Sequence, residues 1–108
     1  MPDSAPHSPR ALLHRAPLYI GVSTKAYLGY QGSLDWLAGV RDVVADRPGL
    51  AGAVTVFVAP SFPMLESARR ILAGTEVVLG AQDCGEQGGA FTGEVSPALL
   101  AELGVGLV

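Results

Sequence analysis

Val54-Thr55-Val56-Phe57-Val58-Ala59 is the stretch on which the reading of the fold turns. It is continuous, uncharged and mostly β-branched, which suits a strand buried on both faces of a parallel sheet. Upstream, Arg47-Pro48-Gly49 stops a helix, since proline cannot continue one and glycine eases the exit. That helix shows in Leu37, Val40 and Val44 at helical spacing, with Ser33 as its N-cap. Further back, Leu18-Tyr19-Ile20-Gly21-Val22 is a second apolar run, also read as a strand buried on both faces. Downstream, Ser61 and Pro63 open a helix whose Met64, Ala68, Ile71 and Leu72 share one face, and Ala73-Gly74 closes it. Glu76-Val77-Val78-Leu79 gives a third strand, followed by a long glycine-rich loop from Ala81 to Val95. Ser96-Pro97 caps a short helix through Leu103 with Gly104 at C′, and Val105-Gly106-Leu107-Val108 reads as the start of a fourth strand.

Strand and helix thus alternate three times before that fourth start, an order that implies parallel strands joined by right-handed crossovers. Periodicity alone allows a doubly wound open sheet and a closed barrel equally. A dinucleotide fold loses support, because Gly21-Val22-Ser23-Thr24-Lys25 holds no G-x-G-x-x-G. A P-loop fails as well, since Lys25 lacks the preceding glycines. Residues 1–17 carry Pro2, Pro6, Pro9 and Pro17 without periodicity, and are expected to be a disordered tail in which His7 and His14 are solvated. The folded unit is expected over residues 18–108.

Hydrophobic residues make up 49% of the 108 and charged residues 16%, a core-forming balance. A net charge of −3, with no cluster of Lys and Arg, argues against nucleic-acid binding. No apolar run approaches the roughly 18 residues that span a bilayer. Ala11-Leu12-Leu13 is too short for a signal-peptide core, so a cytoplasmic location is expected. The single cysteine, Cys84, forms no internal disulfide framework and fits that compartment.

Two segments carry candidate chemistry. Ser23-Thr24-Lys25 follows the first strand, at the end where parallel α/β folds place their sites. A lysine there can hold an anion such as a phosphate ester or stabilise a developing oxyanion; otherwise it solvates the rim. The loop from Ala81 to Val95 is unusually long for a compact domain, and such loops are commonly functional. Phe91 gives it one large apolar anchor. Glu94, just before a helix, is read as a cap, and Gln82-Asp83 as loop-internal hydrogen bonding. Cys84 has no basic neighbour in sequence and is not read as a nucleophile.

Gly89-Ala90-Phe91-Thr92-Gly93-Glu94-Val95-Ser96, followed by Leu100 and Leu103-Gly104-Val105, resembles the third-loop signature of triosephosphate isomerases. Ala59-Pro60-Ser61-Phe62-Pro63 is similar to that family's segment after the second strand, and Gly80-Ala81-Gln82-Asp83 to its third-strand exit. The resemblance runs in order over about residues 18 to 108. It implies an α/β fold: part of a (β/α)8 TIM barrel, comprising the first three βα units and the start of the fourth strand. It also implies a cofactor-independent isomerase of phosphorylated sugars without a metal site, triose phosphate being the leading substrate. Lys25 matches the family's active-site lysine, catalytic and substrate-binding, with Ser23 beside it. Phe91, Thr92 and Gly93 would sit at the tip of a loop, residues 81–95, that enters a second subunit of a homodimer, with Gln82 near its base.

Ser23-Thr24-Lys25-Ala26-Tyr27 departs from the family's usual Asn-Trp-Lys-Met-Asn, and a serine at the first position resembles the branch acting on erythrulose phosphates. Asp83 likewise replaces the asparagine usual after the loop's glutamine. The family's type chemistry joins a carboxylate base to a neutral histidine. Neither is matched in residues 18–108, so the segment alone is expected to be an inactive fragment. The competing reading is a non-catalytic barrel relative or truncated product.

Overall fold

The computed structural model describes residues 18–108; the reading of residues 1–17 as a tail lies outside them. Strand β1 (Leu18–Ser23) is followed by helix α1 (Tyr30–Ala45), a single-turn helix α2 (Leu50–Ala53) and strand β2 (Val54–Ala59). A 3₁₀ turn (Phe62–Met64) leads into helix α3 (Leu65–Ile71), then strand β3 (Val78–Leu79) and helix α4 (Pro97–Glu102). The strands form one parallel sheet in the order β1-β2-β3. β1 and β2 run in register from Leu18 opposite Val54 to Ser23 opposite Ala59. The fourth strand begins as expected: Gly80 bridges Leu107 in parallel, and the Gly106 amide donates to the Leu79 carbonyl at 2.7 Å.

The core lies between the helices and one face of the sheet. Leu37 of α1, Leu65 and Ala68 of α3, and Leu100 of α4 pack with Val58, Leu79 and Val105. Burying each large side chain contributes about 1.5–3 kcal/mol, which makes this cluster the main source of order. Along the solvent side of α3, Glu66 accepts from Arg69 and Arg70, each at 2.8 Å. Those bonds, that to Arg69 foremost, hold the Glu66 carboxyl below its ordinary value.

Three sequence expectations are corrected. β1 is not buried on both faces: Leu18, Ile20 and Val22 are 63%, 56% and 45% exposed. β1 is an edge strand, and all six of its residues are exposed. Ser33 is not the N-cap of α1, which starts at Tyr30 with Gly29 in the cap position. Ser33 is instead buried inside the helix, one turn before Leu37 on the face turned to the core. β3 is shorter than the apolar run suggested, beginning at Val78.

Gly21 lies opposite Phe57 on the sheet face away from the helices. A Cβ there would fall within the Phe57 ring, so the glycine is the space in which the ring lies.

Candidate active site at the strand ends

Register brings the C-terminal ends of β1, β2 and β3 side by side, so the segments that follow them meet: Thr24-Lys25, Pro60-Ser61 and Ala81-Gln82. Thr24 is buried, and its amide extends the ladder to the Ala59 carbonyl at 3.2 Å. The next residue, Lys25, turns sharply. Its φ is 55°, the only positive value among the described residues other than glycine. A non-glycine residue in that region costs of order 1–3 kcal/mol and persists only where its surroundings over-determine it.

Those surroundings are three side chains from three segments. The Ser23 hydroxyl accepts from the Lys25 amide at 3.2 Å. The Lys25 carbonyl accepts from the Ser61 hydroxyl at 2.9 Å and from the Gln82 amide nitrogen at 3.0 Å. The same Gln82 nitrogen donates to the Ala59 carbonyl at 2.9 Å and lies 3.5 Å from the Thr24 hydroxyl. Ser23 and Lys25, two residues apart in sequence, are joined by the bond from the Lys25 amide to the Ser23 hydroxyl, with Lys25 exposed at the rim. Ser61 is an addition that sequence reading assigned only to opening a helix. The reading of Gln82 as loop-internal hydrogen bonding is corrected: its amide donates out of the loop to the Lys25 and Ala59 carbonyls, while of the Gln82-Asp83 pair Asp83 alone bonds within it.

The loop 81–95 is held chiefly at its two ends. The Gly85 amide donates to the Val95 carbonyl at 2.7 Å, and Asp83 accepts from the Cys84 amide at 2.9 Å. A Cβ on Gly85 would lie 3.1 Å from the Val95 carbonyl oxygen, a tight contact that glycine avoids. Further out, Gly89 and Gly93 adopt φ of 107° and 89°, which exposes Phe91 (53%) and Thr92. Helix α4 is capped by the Ser96 hydroxyl accepting from the Leu99 amide at 3.3 Å. Glu94 instead lines a cavity of about 380 Å³ with Cys84, Glu86 and Phe91. Among the described residues no group of three or more His, Cys, Asp or Glu is placed to hold a metal ion.

The fold and this rim define a protein of parallel βα units whose candidate chemistry gathers at the C-terminal strand ends. The family model of triosephosphate isomerase matches residues 18–108, and the chain belongs to that family. It is 42% identical over 90 residues to an L-erythrulose-1-phosphate isomerase of Pectobacterium atrosepticum, covering 81% of this chain and 34% of the relative. It is 46% identical over 78 residues to a triosephosphate isomerase of Alcanivorax borkumensis, covering 71% and 30% respectively. With the triosephosphate isomerase of Treponema pallidum it shares 48% over 73 residues, 67% of this chain and 28% of that one. The chain thus spans about a third of the length of these curated relatives.

Proposed function

We propose that these residues form the substrate-lysine portion of an aldose–ketose isomerase of short phosphorylated sugars. The observation that carries the reading is Lys25, held in a left-handed turn where three strand ends meet. A phosphorylated substrate brings a dianion, and an ammonium fixed at this rim supplies a charge-assisted bond of about 1.5–3 kcal/mol. The same charge favours the enediolate-like oxyanion that forms as a proton moves between adjacent carbons. Ser23 contributes to the substrate pocket beside it. The carboxylate base and neutral histidine of the family's chemistry come from the remainder of the barrel, since the histidines of this sequence are His7 and His14. The reaction calls for neither metal nor nucleotide.

The whole protein acts as a homodimer in this reading, each subunit presenting loop 81–95 to the other through Phe91, Thr92 and Gly93. No described helix is long and apolar enough to cross a membrane, and the proposed location is the cytoplasm.

Triose phosphate is the leading substrate. Tetrulose phosphate is the second reading, favoured by Ser23 in place of the usual asparagine and by the match to an L-erythrulose-1-phosphate isomerase. A serine is shorter and leaves room for one more carbon. Turnover of glyceraldehyde 3-phosphate and of the erythrulose phosphates by the whole protein separates the two. A higher kcat/KM on the tetruloses, moved toward the triose by Ser23→Asn, selects the second. A folded protein that turns over neither rejects both.

A further inference from the structure

We infer that Ser61 and Gln82 are positioning residues that fix the backbone of Lys25, and through it the point from which the lysine side chain departs. This deepens the proposed function and rests on its reading of Lys25 as the substrate lysine. Both backbone polar groups of Lys25 are engaged by side chains: the amide by Ser23, the carbonyl by Ser61 and Gln82. A carbonyl oxygen has two lone pairs, and here two donors at 2.9 and 3.0 Å occupy them. None of these bonds involves the lysine side chain, which leaves the ammonium for an anion.

The three partners come from three different segments: Ser23 ends β1, Ser61 follows β2 and Gln82 follows β3. The lysine's location is therefore set by the register of the sheet, through Ser61 and Gln82, as well as by its own turn, through Ser23. An unsupported lysine would relax to negative φ, because the left-handed region is unfavourable for a side chain with a Cβ. That relaxation redirects the Cα–Cβ bond and carries the ammonium off its site.

Gln82→Met keeps approximate length and removes the donor; Ser61→Ala removes the other. With both introduced in the whole protein, KM for the phosphorylated substrate is expected to rise about tenfold, with kcat changed less. Placed beside Lys25→Ala, the same pair should cause no further change. An equal loss in both backgrounds would overturn the inference, since the residues would then act on the fold or on substrate directly. Should the double variant fail to fold, Ser61→Ala alone is expected to give a smaller rise in KM that again vanishes beside Lys25→Ala; a rise in both backgrounds overturns the inference equally. If Lys25→Ala itself leaves activity intact, the site reading fails, and a crystal structure of the folded variant decides the positioning. A Lys25 that leaves the left-handed region upholds it, and one that stays at positive φ overturns it.

Discussion

The Lys25 turn and the loop 81–95 lie at the same end of the sheet and are joined through Gln82, yet they are held in opposite ways. Lys25 departs from ordinary backbone geometry and is fixed on its amide by Ser23 of its own turn and on its carbonyl by two neighbouring segments. The loop is closed near its base by Gly85 and Val95, while its aromatic tip stands largely in solvent. Strain with many tethers marks a group whose position matters before any ligand arrives. The apolar tip of the glycine-rich loop is what the proposed homodimer would cover. One region is finished within the chain; the other presents its contacts outward.

Substitutions can break this contrast or make it sharper. The largest expected effect is that of Lys25→Ala in the whole protein, where kcat/KM on the preferred sugar phosphate should fall about a hundredfold. Steady-state kinetics on both substrate classes will show it, and full activity would remove the lysine from the site. Next is Thr92→Arg at the loop tip. A charge placed in an interface without a partner should weaken self-association more than tenfold, as read by sedimentation. An unchanged dimer would place the interface elsewhere and leave the exposed tip unaccounted for.

A smaller effect tests the strain itself. Lys25→Gly and Lys25→Ala both lose the charge, but only glycine occupies the left-handed turn freely. The glycine variant should be more stable than the alanine one by about 1 kcal/mol in denaturant unfolding, while both are equally impaired in catalysis. Equal stability would mean that the turn relaxes without cost. The smallest effect belongs to Glu66→Gln on α3, remote from both regions. The Glu66 carboxyl is held below its ordinary value by Arg69 first and Arg70 after it. Its contribution to stability is therefore present above the unfolded carboxylate value and is lost as pH falls through the lowered folded one. The substitution should slightly destabilise the protein near neutral pH, make no difference in strong acid, and be masked by salt, because the pairs are exposed.

Much of the architecture was legible because it rests on local signals. Val54 to Ala59 appears in the structure with the bounds its β-branched run implied, and the Ser96-Pro97 start of α4 follows capping chemistry. Ser33 misled for a physical reason: a serine ahead of an apolar repeat looks like a cap, yet it can equally be the first small residue on the buried face. The exposure of β1 is not legible in its residues, because an apolar run reports what a strand could bury and not which neighbours it has. The site was readable as residue types at a strand end, Ser23 and Lys25. Its left-handed turn was not, since lysine carries none of the signal that glycine or asparagine gives. Gln82 and Ser61 converge on that turn across separations of 57 and 36 residues, which only the assembled register reveals.

The contact between Gly21 and Phe57 constrains the order in which this sheet can diverge. Any side chain at Gly21 meets the far end of the Phe57 ring, so as a first step that change requires the ring to swing aside. Replacing Phe57 by a smaller residue is the permissive move: the space left by the partly buried ring then admits a methyl at Gly21. The two positions are therefore coupled, one substitution order demanding a ring shift and the other avoiding it. A library that varies them as a pair explores the alternatives this face of the sheet can accommodate better than one that varies them independently.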